Sequence, residues 1–517
     1  MKKLISILLV CIMLLGVLAA CNVNTPEDTT SAATDAETEA KTEAKTEAKT
    51  DAETEIDTEI TTEAPTDATT EITTPDSQES TSETDEPTTV TTVVETEETT
   101  EETTEETTEE TTEEQTEPRF EIDGLDIKSE DLQDVMKDML HSGEMRQETV
   151  FILDTDVSNS TPKSLLFPAT EIISVTNYAG TKEFVQGVDY ELTEDGKIKF
   201  LPACNFRFMK ESKYYGTSDK MLVTTKPDGT TSNTIWGEGT TMVSSQVRVT
   251  YKYDANWEGF AQTSNLATYE NLVKKLIAGE DVTFIFYGDS ITCGANSSWF
   301  NGINPGQYSY TMLFTEAIAD LFDYTVNYID VSHLNSLIKK TPDDYVAGNR
   351  GTINFINTAV GGWNTKDGLN NFDTFVGAYI EQYGCDLLLL AYGMNDGGTA
   401  VSSVMDSTKK MIEKASTLSP DLHVAIMSTM VPNNISVGSW YGNQDKQEAE
   451  FIKLAEELSA SGLKVAVTQM TSMSLSILEY KNFVDYTGNN INHPNDFFNA
   501  VYAQTLFQSI IGYEYLV

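Results

Sequence analysis

Val282-Thr283-Phe284-Ile285-Phe286-Tyr287 runs directly into Gly288-Asp289-Ser290-Ile291-Thr292. Six consecutive apolar, aromatic or β-branched positions with no polar alternation read as a strand covered on both faces, as in a parallel sheet. A serine at the mouth of such a strand stands where an open α/β sheet presents groups to a ligand. Working outward, helix patterns at 266–278, 308–322, 366–382, 402–416, 444–460 and 496–511 alternate with strand-like runs at 353–357, 386–392, 423–429 and 464–468. That alternation predicts an α/β domain over residues 265–517, a parallel sheet with helices on both faces.

Three further blocks follow in order: Asn357-Thr358-Ala359-Val360-Gly361-Gly362, Gly393-Met394-Asn395-Asp396 and His493-Pro494-Asn495-Asp496. With Ser290 they supply a hydroxyl nucleophile, a backbone N–H donor, a side-chain amide donor and a general base, the parts an acyl-transfer site needs. The first two blocks close strand runs, so Ser290, Gly362 and Asn395 are all expected at carboxyl ends of strands. His141, His333 and His423 read as structural or surface residues. No Gly-x-Ser-x-Gly elbow, metal-ligand cluster or phosphate loop is present, so no cofactor and no metal is expected.

These four blocks resemble those of the SGNH (GDSL-type) hydrolases, over about residues 280–515. The resemblance implies a three-layer α/β/α sandwich. It implies Ser290 as nucleophile, an oxyanion hole formed by the N–H groups of Ser290 and Gly362 with the Asn395 amide, and His493 as base. One position departs: the family places an aspartate three residues before the histidine, and Asn490 stands there. The reading preferred from sequence is a Ser–His dyad oriented by an amide or a backbone carbonyl. The alternative is a displaced acid, Asp485 or Asp496. The implied activity is a serine esterase releasing O-acetyl groups from polysaccharide. A lysophospholipase-like or short-chain esterase and a non-catalytic carbohydrate-binding adhesin are the alternatives. Trp299, Phe300, Trp363 and Tyr392 flank the motifs as sugar-stacking or packing residues.

The remaining chain carries targeting and spacing. Lys2 and Lys3 precede an apolar run ending in Leu18-Ala19-Ala20-Cys21. This reads as a signal peptide, residues 1–20, cleaved before a lipid-bearing Cys21. The expected place is the outer face of a bacterial cell membrane, anchored through that lipid. Residues 21–118 form an acidic Thr/Glu-rich tether without aromatics, unable to offset chain entropy. Its 32 acidic and 3 basic residues contribute −29 of the formal charge of −49. Net negative charge argues against a nucleic-acid partner. Cys204, Cys293 and Cys385 lack metal spacing and read as small buried hydrophobes. From 119 to 262, short strand patterns and turns such as Glu194-Asp195-Gly196 predict a small β-sandwich or jelly-roll-like accessory domain.

Overall fold

The computed structural model describes residues 134–216, 221–226, 229–331, 348–435, 440 and 442–512. The leader, Cys21, the tether and His333 lie outside the described residues. The described residues belong to one compact unit.

The β-rich portion contains β1 (Glu144–Phe151), β2 (Ala169–Asn177), β3 (Tyr190–Leu192), β4 (Ile198–Phe200), β5 (Met221–Thr225), β6 (Thr231–Ile235) and β7 (Gln246–Tyr253). Strand β7 lies between β1 and β2 in an antiparallel sheet, and β3–β4 and β5–β6 form separate two-stranded pairs. The alternation of Val247, Val249, Tyr251 and Tyr253 suggests one buried face. In the structure β7 is buried on both, because its polar positions also meet protein. The Gln246 amide donates to the carbonyls of Val484 and Thr487, each at 2.8 Å, and its Oε1 accepts from Asn495 Nδ2 at 2.9 Å.

The α/β portion contains β8 (Val282–Gly288), β9 (Tyr324–Asp330), β10 (Gly351–Asn357), β11 (Leu387–Ala391), β12 (His423–Met427) and β13 (Lys464–Thr468). They form a parallel sheet in the order β13-β12-β11-β8-β10-β9. Side chains of a strand alternate between faces, and β8 uses both for core. Phe284 and Phe286 join a cluster with α1 (Leu266–Ala278), α2 (Tyr310–Phe322) and, later in the chain, Asp496–Ile510. Ile285 and Tyr287 join a second cluster with α3 (Thr365–Phe372), α4 (Val401–Leu418) and α5 (Gln444–Ala460). The result is the expected three-layer α/β/α sandwich. The last helix, α6 (Asp496–Ile510), is buried along its whole length. Val249 and Tyr251 of β7 belong to the same hydrophobic cluster as Phe284 and Phe498, so the core runs continuously from the β-rich portion into the sandwich.

Candidate active site

Ser290 follows β8 in a one-turn helix, Ser290–Cys293, capped by Asp289, whose Oδ1 accepts from Ile291 N at 2.9 Å. Burial pushes the Asp289 carboxyl up to about 7, against the N–H groups and the His493 charge that favour its ionised form. Gly288 is required by close approach: a Cβ there would lie 2.4 Å from the Ala391 carbonyl oxygen and 2.4 Å from Thr292 Oγ1. The tight exit from β8 thus fixes where the serine hydroxyl emerges.

The neighbouring strands carry Gly362 and Asn395. After β10, Asn357 Nδ2 donates to Thr292 O at 2.7 Å and Asn357 Oδ1 accepts from Ala359 N at 3.1 Å, tying this turn to the serine turn. Gly362 has φ +81°, a left-handed conformation that favours glycine, and a Cβ there would point into open space. After β11, Asn395 lies in a short 3₁₀ turn, Met394–Asp396. Asn395 Nδ2 donates to Trp363 O at 2.9 Å, and Asn395 Oδ1 accepts from Trp440 Nε1 at 3.3 Å. An amide nitrogen carries two hydrogens. One of them is committed to the Trp363 carbonyl.

His493 sits in the loop preceding α6. Its Nε2 is 2.8 Å from Ser290 Oγ. Backbone bonds hold the loop: His493 N donates to Asn489 Oδ1 at 3.1 Å, and His493 O accepts from Gly488 N at 2.9 Å. Ser290, His493 and Asn395 are half-buried, and the Ser290 hydroxyl and the His493 imidazole meet at an accessible point.

The far side of the imidazole differs from the sequence expectation. His493 Nδ1 is 3.1 Å from Glu238 Oε2, on the segment that follows β6. Glu238 Oε1 accepts from Asn489 Nδ2 at 3.0 Å. Desolvation works against ionisation of this carboxyl, but His493 and the Asn489 amide outweigh it and hold it at about 2. The three residues weighed from sequence are engaged elsewhere. Asn490 has a left-handed backbone, φ +65°, donates through Nδ2 to Ile235 O at 2.9 Å and accepts from Asn433 Nδ2 at 3.0 Å. Asp485 accepts from Phe151 N at 2.8 Å and Asn482 N at 3.1 Å. Asp496 accepts from Ser298 N at 2.7 Å.

Of the aromatics flanking the motifs, Trp299 and Tyr392 are buried packing residues, the latter edge-on to Tyr287 at 5.4 Å. Trp363 and Phe300 are half-buried. Trp440, also half-buried and bonded to Asn395, has no signal in the sequence. It lies far from any motif in sequence, in a stretch without periodicity. His141 is paired with Asp138 at 2.9 Å, and His423 is buried with Nδ1 3.0 Å from Asp386 O, its ring held below the ordinary imidazole range by that burial. Cys204, Cys293 and Cys385 are buried and unpaired by disulfide.

No family model matches the chain. No curated protein matches it either. Solved structures similar to it include a two-domain esterase active on acetylated mannans, at 17% identity and TM-score 0.34, covering 49% of this chain and 55% of that one. Others are an acetyl xylan esterase (17% identity, TM-score 0.31, 44% of this chain and 100% of that one) and an acetylxylan esterase from Geobacillus stearothermophilus (13%, TM-score 0.30, 44% and 93%). The chain spans about half the length of the two-domain esterase structures it matches.

Proposed function

We propose that this chain is a serine esterase of the SGNH type that removes O-acetyl groups from polysaccharide. The observation that carries the reading is the 2.8 Å contact between Ser290 Oγ and His493 Nε2 at the carboxyl end of the central strand. Ser290 Oγ attacks the acyl carbon as His493 Nε2 takes its proton. The carbonyl electrons move to an oxyanion met by the Ser290 and Gly362 N–H groups and the second Asn395 N–H. Collapse expels the sugar alkoxide, which receives the proton from His493. Water, deprotonated by the same imidazole, then hydrolyses the acyl-serine and releases acetate. The half-buried indole of Trp440, bonded to the Asn395 amide, gives the mouth a flat apolar surface suited to a sugar ring. The proposal extends to location: the leader and Leu18-Ala19-Ala20-Cys21 support a lipid-anchored enzyme at the outer cell surface.

The test is acetate release from acetylated xylan and acetylated mannan beside hydrolysis of p-nitrophenyl acetate and a lysophospholipid, with Ser290→Ala as control. Acetate release abolished by Ser290→Ala is expected. Turnover of the lysophospholipid alone would replace the polysaccharide reading. Wild-type rates in a folded Ser290→Ala preparation would remove the catalytic assignment.

A further inference from the structure

We propose that Glu238, carried by the β-rich portion, is the positioning residue of His493, so that the catalytic triad is assembled from both portions of the chain. The inference rests on the esterase reading and adds the residue that sets the base.

The geometry is that of a carboxylate behind a catalytic imidazole. Glu238 Oε2 meets Nδ1 at 3.1 Å while Nε2 meets the serine at 2.8 Å. A carboxylate can only accept here, so the proton resides on Nδ1 and the Nε2 lone pair faces the serine hydroxyl. When Nε2 takes that proton, the imidazolium finds a negative charge already in place.

Glu238 is also held. Asn489 Nδ2 donates to its other oxygen at 3.0 Å. The flanking backbone is pinned on both sides: Gly237 N donates to Asn489 O at 3.1 Å, and Gly239 N to Asn296 Oδ1 at 3.4 Å. Asn490 completes the arrangement. Its amide donates to Ile235 O, at the end of β6 and three residues before Glu238. At the position where an aspartate was expected, the side chain thus secures the strand that brings the carboxylate in. An aspartate there would lose this N–H donor and face the Ile235 carbonyl with a negative charge.

Exposure sets the size of the effect. The Glu238 side chain is 56% exposed, so solvent screens its charge. The expected loss on neutralisation is roughly 10- to 100-fold in kcat, below the ~10⁴-fold carried by a fully buried triad acid. The other carboxyl that acts electrostatically on His493 is Asp289, on the serine side. It is unchanged by substitution at 238, so a comparison of variants isolates Glu238.

The experiment compares full-length wild type with Glu238→Gln and Glu238→Asp. Glutamine preserves size and an acceptor oxygen but removes the charge. For Glu238→Gln the expected result is a 10- to 100-fold fall in kcat on p-nitrophenyl acetate with KM little changed. The acid limb of the kcat/KM profile should move to lower pH. The sign follows from charge: without the carboxylate the imidazolium is less stable, loses its proton more readily, and the neutral base persists to lower pH. Glu238→Asp should recover part of the rate. Unchanged kcat and acid limb, or a fall in kcat with an unmoved acid limb, would overturn the proposal. A second arm uses resting protein and no ester: a strongly downfield Nδ1 proton of His493 in the NMR spectrum, lost in Glu238→Gln. Absence of that resonance from wild type would overturn the role of Glu238 whatever the fate of the esterase reading. Loss of the esterase reading alone would show as Ser290→Ala activity with the resonance intact.

Discussion

At the scale of single residues, the site is a set of groups whose freedom has been removed before substrate arrives. Asn395 shows how. Its Nδ2 is spent once, on Trp363 O, and its Oδ1 is fixed by Trp440 Nε1. The amide cannot flip without breaking both bonds, so the remaining N–H keeps its aim. Asn395→Ala should lower kcat by roughly 10²–10³-fold, the usual effect of deleting one oxyanion donor. Trp440→Phe keeps an aromatic ring, smaller than the indole, and removes the N–H that fixes Asn395 Oδ1. The loss should be about fivefold in kcat, the equivalent of one ~1 kcal/mol hydrogen bond. Steady-state kinetics on a small acetyl ester checks both. A change in KM alone for Asn395→Ala would make it a ground-state binding group. The residues legible from sequence were those embedded in short contiguous signals: a strand followed by Gly-Asp-Ser, Gly-Gly after a second strand, Asn-Asp after a third, and a histidine before the last helix. Glu238 and Trp440 belong to no such signal. Glu238 lies 255 positions from His493, and only tertiary packing makes them neighbours.

At the scale of elements, strands with continuous apolar runs were legible because burial on both faces leaves no alternation to misread. Residues 464–468 and 444–460 were expected as strand and helix at the bounds the structure has. The edge strand β9 carries no such run. Tyr324-Thr325-Val326-Asn327 mixes polar residues into a strand paired on one side only, where no apolar run is required. The pattern at 366–382 predicts one helix, but a π-helical turn at Asp373–Gly377 interrupts it, a backbone detail with no periodic signature. The exit from β8 gives a sharper test. Gly288→Ala would set a methyl 2.4 Å from the Ala391 carbonyl on the adjacent strand. Strands β8 and β11 must separate or the Ser290 turn must shift. Overpacking of this kind costs about 1–3 kcal/mol, and the displaced serine should lower kcat as well. Urea unfolding with parallel kinetics would read both, and wild-type stability in this variant would show that the strand exit has room.

At the scale of the whole molecule, the β-rich portion and the sandwich are joined by buried polar bonds as well as by shared core, and the joint is what allows a carboxylate from one to serve an imidazole in the other. The most demanding of these bonds is the pair Lys481 Nζ–Glu148 Oε1, 2.5 Å apart, with both side chains fully buried. Glu148 lies in β1 and also accepts from Leu166 N at 3.0 Å and Tyr251 OH at 2.6 Å. Lys481 comes from the sandwich, just before the loop that carries His493. Burial opposes its charge, but Glu148 and Asp485 outweigh it and raise the ammonium above its ordinary range, so the cation persists at neutral pH. Removing one partner leaves the other charge buried without compensation, which costs about 3–5 kcal/mol, whereas removing both costs far less. Lys481→Met should therefore be strongly destabilising, and Lys481→Met with Glu148→Gln should recover much of the loss. Because the core is continuous, both portions should unfold together in the wild type. The Lys481→Met variant should lower that single transition and not split it. Guanidinium unfolding followed by tryptophan fluorescence and by far-ultraviolet circular dichroism tests this. Two separated transitions in the wild type would mean that the portions fold independently, and Glu238 would then be held at His493 only by the local bonds of its own loop.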